Sequence, residues 1–403
     1  MRNLVFVVLA REFISLQMKI SLPRLSSAED KLFRKSGYFT SLYLHVPFCK
    51  NICDYCALYS VVENGLDVRE AYLAQVESTL QAVGADLSAM RSIFVGGGTP
   101  TQLREDELER FLQVVKQNTD CIDRDFEFSV ECNPATVNLA KFEIMKKYGV
   151  NRLSFGAQST TRKTRNTLGR RTSKEQLNGA IEMARECGFS NINIDLIYGV
   201  PGQSLEDWQE DLTSALAMDL PHYSAYSLIL EEGTVLADRY DSVDDEQAVR
   251  MYDMAGELMS EAGLERYEIS NYSRPGMQCK HNYDIWKGGT YLGVGPAASS
   301  FDGRQRWTQV RDLKKWLSGE GAELDELSEK ERLAEVLAFG FRTVEGWKIS
   351  ELESLYGVNV LELFEDLLTQ LKNDDLIEEK QGNLKATEKG LLFADTIAEF
   401  LIF

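Results

Sequence analysis

From Ser41 onward the chain alternates short β-branched and aromatic runs with amphipathic stretches of helical period, and few architectures tolerate that order. Strand-like runs fall at 41–46, 92–95, 126–130, 152–155, 191–197 and 223–228. Between them lie helix-like segments at 70–82, 105–116, 139–147, 174–187 and 205–218. A helical crossover between successive strands makes them run parallel and covers the sheet. About six such repeats predict an α/β protein built on a partial, TIM-like (β/α)6 barrel. Ligand-bearing residues of such sheets sit where the chain leaves the C-terminal ends of the strands. The unusual residues of this sequence fall there.

The first of these loops is the densest in chemistry, His45-Val46-Pro47-Phe48-Cys49-Lys50-Asn51-Ile52-Cys53-Asp54-Tyr55-Cys56. Cysteines at C-x3-C-x2-C aim three sulfurs at one point, and thiolates are the ordinary ligands of iron–sulfur clusters. Three ligands on a 4Fe-4S cluster leave one iron free for a substrate or cofactor. On spacing alone a zinc site and a redox dithiol stay open. Structural zinc takes four ligands, however, and no second Cys/His pair of finger spacing follows. The remaining cysteines, Cys121, Cys132, Cys187 and Cys279, are scattered through the sequence. Seven cysteines in 403 residues do not make a disulfide framework, which fits a reducing cytoplasm.

The second strand runs into Gly96-Gly97-Gly98-Thr99-Pro100-Thr101, where bare backbone offers N–H and C=O groups to a ligand. A tight turn explains such a glycine run equally well. The third strand leads to Glu131-Cys132-Asn133-Pro134, the fourth to Gln158, and the fifth carries Asp195 before Tyr198-Gly199-Val200-Pro201-Gly202. Arg170 opens the stretch before the next helix. Singly, each reads as a solvated or capping residue. Together they place acids, an amide and a guanidinium on one rim, the set that ribose hydroxyls and an amino-acid carboxylate require.

A net charge of −19 argues against nucleic acid or an anionic membrane as the main partner. Apolar residues make up 44% of the chain, enough for a full core. The apolar run at 4–10 is too short to span a bilayer and is broken by Arg11 and Glu12, so a non-membrane protein with Met18 as the true start is expected. Only three histidines, His45, His222 and His281, are available for any role that needs imidazole.

With these motifs in register, the chain resembles the radical S-adenosylmethionine (SAM) superfamily, in the branch of oxygen-independent coproporphyrinogen III oxidase and its haem-chaperone relatives. The likeness runs from Tyr43 through Phe155-Gly156-Ala157-Gln158, Tyr267-Glu268-Ile269-Ser270-Asn271-Tyr272 and Gly293-Val294-Gly295-Pro296. It implies a radical SAM barrel in which Cys49, Cys53 and Cys56 hold a 4Fe-4S cluster whose fourth iron is chelated by SAM. Gly97, Gly98 and Thr99 would hold the methionine amino end and Arg170 would face the carboxylate. Glu131, Gln158 and Asp195 would serve the ribose side, and Tyr43 would stand beside the cluster.

The resemblance offers two main functions and leaves another small-molecule radical-SAM reaction open. One is a haem carrier that delivers haem to an acceptor protein, and the other is an oxidase acting in porphyrin biosynthesis; either needs an electron donor for the cluster. The oxidase branch has a cysteine two places after the third ligand, where this chain has Leu58, and a longer N-terminal arm than Met18 to Cys49 allows. The chaperone branch carries a His-Asn-x-x-Tyr-Trp motif associated with haem. Here it reads His281-Asn282-Tyr283-Asp284-Ile285-Trp286, with Ile285 in the tyrosine place. Neutral imidazole is a good haem-iron ligand, which makes His281 the candidate. Ala57-Leu58, where chaperones commonly have Asp-Phe, is a second departure. The haem-carrier reading is preferred.

Past the barrel, a helix is expected at 244–262 and a strand at 265–270. Beyond an acidic stretch at 319–331, helices at 330–341 and 349–356 precede a third marked by Leu361, Phe364, Leu368 and Leu371. A hairpin around Gln381-Gly382 and a final helix from Lys389 complete a winged-helix-like pattern. It lacks a basic recognition face, so a lid or packing role is expected rather than DNA binding. The expected organisation is an extension over 1–40, the barrel over 41–230, an extension carrying the His-Asn motif over 231–320, and the C-terminal domain over 321–403.

Overall fold

A computed structural model describes residues 39–62, 65–83, 87, 90–119 and 126–402. The N-terminal extension up to residue 38, its start at Met18 and Cys121 therefore lie outside the described residues. Strands β1 (Ser41–Val46), β2 (Ser92–Gly97), β3 (Glu127–Cys132), β4 (Arg152–Gln158), β5 (Asn191–Tyr198) and β6 (His222–Ser227) are laid down in chain order. All pair in parallel with their sequence neighbours. The intervening helices are α1 (Leu66–Val83), α2 (Glu105–Asn118), α3 (Leu139–Lys147), α4 (Arg162–Thr167), α5 (Lys174–Glu186) and α6 (Leu205–Leu216).

Local chemistry explains the boundaries. Ser173 and Ser204 open α5 and α6 with capping boxes, each worth about 1 kcal/mol. Leu177, Ala180, Ile181 and Ala184, at helical spacing, form the buried face of α5. Trp208 of α6 is fully buried and donates its indole N–H to the Met251 carbonyl at 2.9 Å. Deleting that side chain would cost roughly 3–5 kcal/mol.

After α7 (Asp245–Glu261) the strand expected at 265–270 forms only at its first two residues. The chain instead makes two short antiparallel strands, β7 (Glu265–Arg266) and β8 (Asn271–Ser273). The reason is Glu268, fully buried between them. Its carboxylate accepts the Ser270 N–H at 2.7 Å, a local bond that turns the chain between the two strands, and pairs with Arg342 at 2.7 Å, while Glu268 itself bridges Thr343. Helix α8 (Lys280–Trp286) carries the His-Asn motif, followed by β9 (Tyr291–Val294), β10 (Ser299–Phe301), β11 (Arg306–Thr308) and β12 (Glu323–Asp325). The sheet order is β12-β11-β10-β9-β1-β2-β3-β4-β5-β6-β8-β7, with β9 parallel to β1. Among the described residues its two edges are not joined, so the barrel is partial.

The C-terminal part has its own apolar core, around Trp347, Leu337, Leu352, Leu384 and Ile397. Helices Glu329–Phe341 and Ile349–Tyr356 pack with a three-stranded antiparallel sheet whose hairpin turns at Gln381 and Gly382, both at positive φ. The final helix is interrupted at Phe393, giving Glu388–Leu392 and Ala394–Ile402. Among the described residues no helix is long and apolar enough to cross a membrane.

Candidate cluster and ligand cavity

The barrel interior is hollow. A cavity of 1510 Å3 runs from the cysteine loop down to α8 and out to Phe393. Single small-molecule sites occupy about 300–1,000 Å3, so there is room for more than one ligand. TIM barrels pack this space with branched apolar side chains. Here the inward positions are instead Ser41, Ser92, Glu127, Ser129, Arg152, Ser154, Asn193, His222 and Ser224.

Cys49, Cys53 and Cys56 all line this cavity and are half-buried. Their loop is anchored at both ends. The Cys49 N–H donates to Val61 O at 3.0 Å, Val61 N–H to Pro47 O at 2.8 Å, and Asp54 N–H to Leu168 O at 3.1 Å. Burial pushes the Cys49 thiol up and the Cys56 thiol up to about 11. A bound cation would have to drive off those protons. Among the described residues no three His, Cys, Asp or Glu side chains gather closely enough for a single metal ion. A multi-iron cluster suits more widely spaced sulfurs. Phe48, fully buried, stacks edge-on to Tyr72 and belongs to the core.

The glycine turn sits against this loop. Gly97 has φ +105°, and a Cβ there would stand 2.6 Å from the His45 ring. A Cβ on Gly98 would meet the Pro47 carbonyl carbon at 2.8 Å. Only glycine permits this approach, which lets the Gly98 N–H reach Val46 O at 2.8 Å and places Thr99 Oγ1 3.5 Å from Cys49 Sγ. The Gly97 N–H donates to Glu131 Oε2 at 3.1 Å. Burial, then the nearby Asp195 charge, push the Glu131 carboxyl up to about 8 despite that bond. Asp195 is raised by burial as well, and is held by Ser154 Oγ at 3.1 Å and Asn193 Nδ2 at 2.9 Å.

Gln158 sits at φ 66° beside a register shift in the β4–β5 ladder. The chain just past it is clamped by fully buried Asp211, which accepts from Ser159 Oγ at 2.9 Å and the Thr161 N–H at 3.0 Å. Arg170 lies 3.7 Å from Cys53 Sγ through Nη1 and donates through Nη2 to Gly156 O, while its Nε is buried without a partner among the described residues. That orphaned donor beside the thiols fits the carboxylate of a cluster-bound amino acid.

Tyr43 is oriented by a histidine. The Tyr59 carbonyl can only accept, so His45 Nε2–H donates to it at 2.8 Å and His45 Nδ1 accepts from the Tyr43 hydroxyl at 3.0 Å. Burial lowers His45 to about 4, so the ring is neutral and Tyr43 offers only oxygen lone pairs to other partners. The structure thus brings Tyr43, the three cysteines, Gly97, Gly98, Thr99, Glu131, Gln158, Arg170 and Asp195 onto one cavity wall.

His281 stands elsewhere. Its contacts are Ser92, Phe94 and Glu127, residues of the N-terminal halves of β2 and β3. It is therefore at the opposite end of the barrel from the thiols, roughly 16 Å away at the strand rise per residue. A chain of hydrogen bonds fixes its tautomer. Asp284 Oδ2 accepts from Ser41 Oγ at 3.3 Å, Ser41 Oγ accepts from Ser92 Oγ at 2.9 Å, and Ser92 Oγ therefore accepts His281 Nδ1–H at 3.0 Å. Burial lowers the ring to about 4, leaving it neutral. Nε2 then carries a lone pair and has no hydrogen-bond partner among the described residues. His281 lines the same cavity.

Residues 43–215 match the radical SAM superfamily model, and residues 327–393 match the model of the HemN C-terminal domain. The heme chaperone HemW of Bacillus subtilis is 33% identical over 374 residues, covering 89% of this chain and 97% of that protein. HemW of Escherichia coli is 30% identical over 375 residues, covering 90% and 98%. Among solved structures, coproporphyrinogen III oxidase (HemN) of Escherichia coli, described as a radical SAM enzyme, superposes with a TM-score of 0.78 at 20% identity. That match covers 91% of this chain and 90% of the oxidase, and it concerns the fold alone.

Proposed function

The chain belongs to the radical SAM superfamily and, within it, to the HemW heme-chaperone family, and from that premise we propose that it binds haem and passes it to an acceptor protein. The family implies a 4Fe-4S cluster and SAM. Cys49, Cys53 and Cys56 are the proposed cluster ligands. Gly97, Gly98, Thr99 and Arg170 would hold the amino-acid end of SAM. Glu131, Gln158 and Asp195 would take its ribose, and Tyr43 would receive a donor beside the cluster. A cluster bound there supplies an electron to SAM. Its own electron donor would be a separate protein or small reductant, and the compartment proposed is the cytoplasm.

The observation that carries the reading is one cavity with a three-thiol rim and, lining its far end, a neutral histidine held through Nδ1, with no hydrogen-bond partner for Nε2 among the described residues. Imidazole in that tautomer is a haem-iron ligand, and a ring held through Nδ1 is already aimed. The division of labour follows the chain, with the barrel over 41–230, the His281 extension over 231–320 and the C-terminal domain over 321–403 closing the mouth near Phe393. The oxidase reading rests on the fold alone. Leu58, 59% exposed, stands where that branch has a cysteine. Anaerobic incubation of cluster-loaded protein with coproporphyrinogen III, SAM and reductant tests the choice. No protoporphyrinogen is expected, together with saturable haem binding in a parallel titration; turnover to protoporphyrinogen would reverse the assignment.

A further inference from the structure

The inner end of the cavity holds a second unusual group. Arg152, at the start of β4, is 2% exposed and points into the barrel. Among the described residues its side chain makes a single hydrogen bond, Nη1 to Ser129 Oγ at a long 3.5 Å, and its Nε is buried without a partner. Three other arginines with little exposure are neutralised directly, while buried Arg165 is held by the Ser159 and Thr160 carbonyls. Arg332 pairs with Glu335 and with Asp325 at 3.1 Å, Arg306 with Glu335, and Arg69 with Glu107 at 3.1 Å. Among the described residues Arg152 has no such pair; the acids whose charge reaches it, Glu127 and Asp195, are engaged by other donors. Glu127 Oε2 accepts the Lys280 N–H at 2.9 Å, and its Oε1 accepts from Ser129 Oγ at 3.0 Å and from Cys279 Sγ at 3.5 Å. Those bonds tie Glu127 to the start of α8. They leave the guanidinium facing the cavity.

A buried cation without a direct counter-charge is costly, and the chain keeps it at the end of a cavity with space beyond one ligand. The other cavity-facing arginine with the same signature is Arg170, whose place beside the thiols fits a carboxylate. Ser154 and Asn193 line the wall with Arg152, but their donors are committed to Asp195 and to each other. The guanidinium is the under-satisfied donor there, and its fork matches a carboxylate in two parallel bonds. We propose that Arg152 forms a carboxylate site at the inner end of the barrel cavity and takes one acidic side arm of the porphyrin held by His281. The inference rests on the haem-binding reading and adds the group by which the ligand is recognised. A porphyrin would be held at its iron from α8 and at its edge from β4.

The test uses full-length protein, with haem and haem dimethyl ester as probes, because the ester keeps the ring and iron but cannot form the ion pair. Wild type is expected to bind haem roughly ten- to a hundredfold more tightly than the ester, the discrimination one charge-assisted pair gives. Arg152→Met is expected to erase that discrimination while leaving ester affinity and SAM binding in place, and Arg152→Lys to retain part of it. Equal binding of haem and ester by wild type overturns the carboxylate site and leaves the haem reading standing. Saturable binding of neither probe overturns the haem reading and this proposal with it. The ester comparison needs no variant, so a misfolded Arg152→Met does not shield the proposal.

Discussion

The two ends of the barrel cavity are built differently. At the rim, the chemistry rides on loops that leave the strands: the Cys49–Cys56 loop, the glycine turn and Arg170 after α4. Its donors are partly unsatisfied, with the Arg170 Nε orphaned and the Glu131 carboxyl pushed up to about 8. At the floor, the chemistry comes from the strands themselves and from α8. His281, His222 and Asn193 are locked into hydrogen-bond chains, with His222 bonded to Asn193 at 2.7 Å and to Tyr267 at 2.8 Å. A loop-borne rim suits cofactors that must be loaded and reduced. A strand-borne floor suits a ligand that is held in one orientation and released whole.

The sharpest way to separate the ends is to remove one of them. Cys53→Ser is expected to abolish the cluster, read as loss of acid-labile sulfide and iron after anaerobic reconstitution; full retention would remove Cys53 from the ligand set. Arg170→Ala is expected to weaken SAM binding roughly ten- to a hundredfold, the worth of a charge-assisted bond, as measured by equilibrium dialysis. Haem affinity should not follow it. Parallel loss of both ligands would mean that rim and floor are one site.

Next in size is a pH effect confined to the rim. Ligand-free Glu131 is protonated below about 8 because burial disfavours its charge, while accepting ribose hydroxyls favours the carboxylate. SAM affinity should therefore rise with pH up to about 8 and level above it, by at most about tenfold per unit. Glu131→Gln should flatten this slope, and an unchanged slope would assign the titration to another group. The smallest effect expected is at the floor. Ser92→Ala breaks the Asp284–Ser41–Ser92–His281 chain and frees the His281 tautomer, at a cost to haem affinity of about 0.5–1.5 kcal/mol. Spectroscopic change at the haem iron with cluster content unaltered would confirm that the chain acts through His281.

The rim was legible in the sequence and most of the floor was not, for a physical reason. Rim residues are contiguous, since Cys49, Cys53 and Cys56 share one loop and Gly96, Gly97 and Gly98 one turn. The parallel repeat places such loops on one side. Helix α3 and strand β1 follow the expected 139–147 and 41–46, because apolar period and caps agree there. Floor residues are single positions on different strands. Glu127, Arg152, Asn193 and His222 meet only through the staggered register, in which Arg152 pairs with Ser129 and His222 with Asn193. A charged residue at the start of an apolar strand was the available signal, and it reads equally as an exposed strand end. Gln158 was found, but its φ of 66° and the Asp211 clamp depend on contacts across 50 residues or more. The 265–270 segment misled because its alternation ignores the burial of Glu268.

The central claim is that two sites share one cavity from opposite ends. Haem titration of the cluster-free Cys53→Ser protein, followed through the axial-ligand spectrum of the haem iron, tests it most directly. The account predicts a saturable complex with a histidine-ligated iron, close in affinity to that of cluster-loaded protein. Loss of haem binding with the cluster, or an iron without histidine ligation, would contradict it.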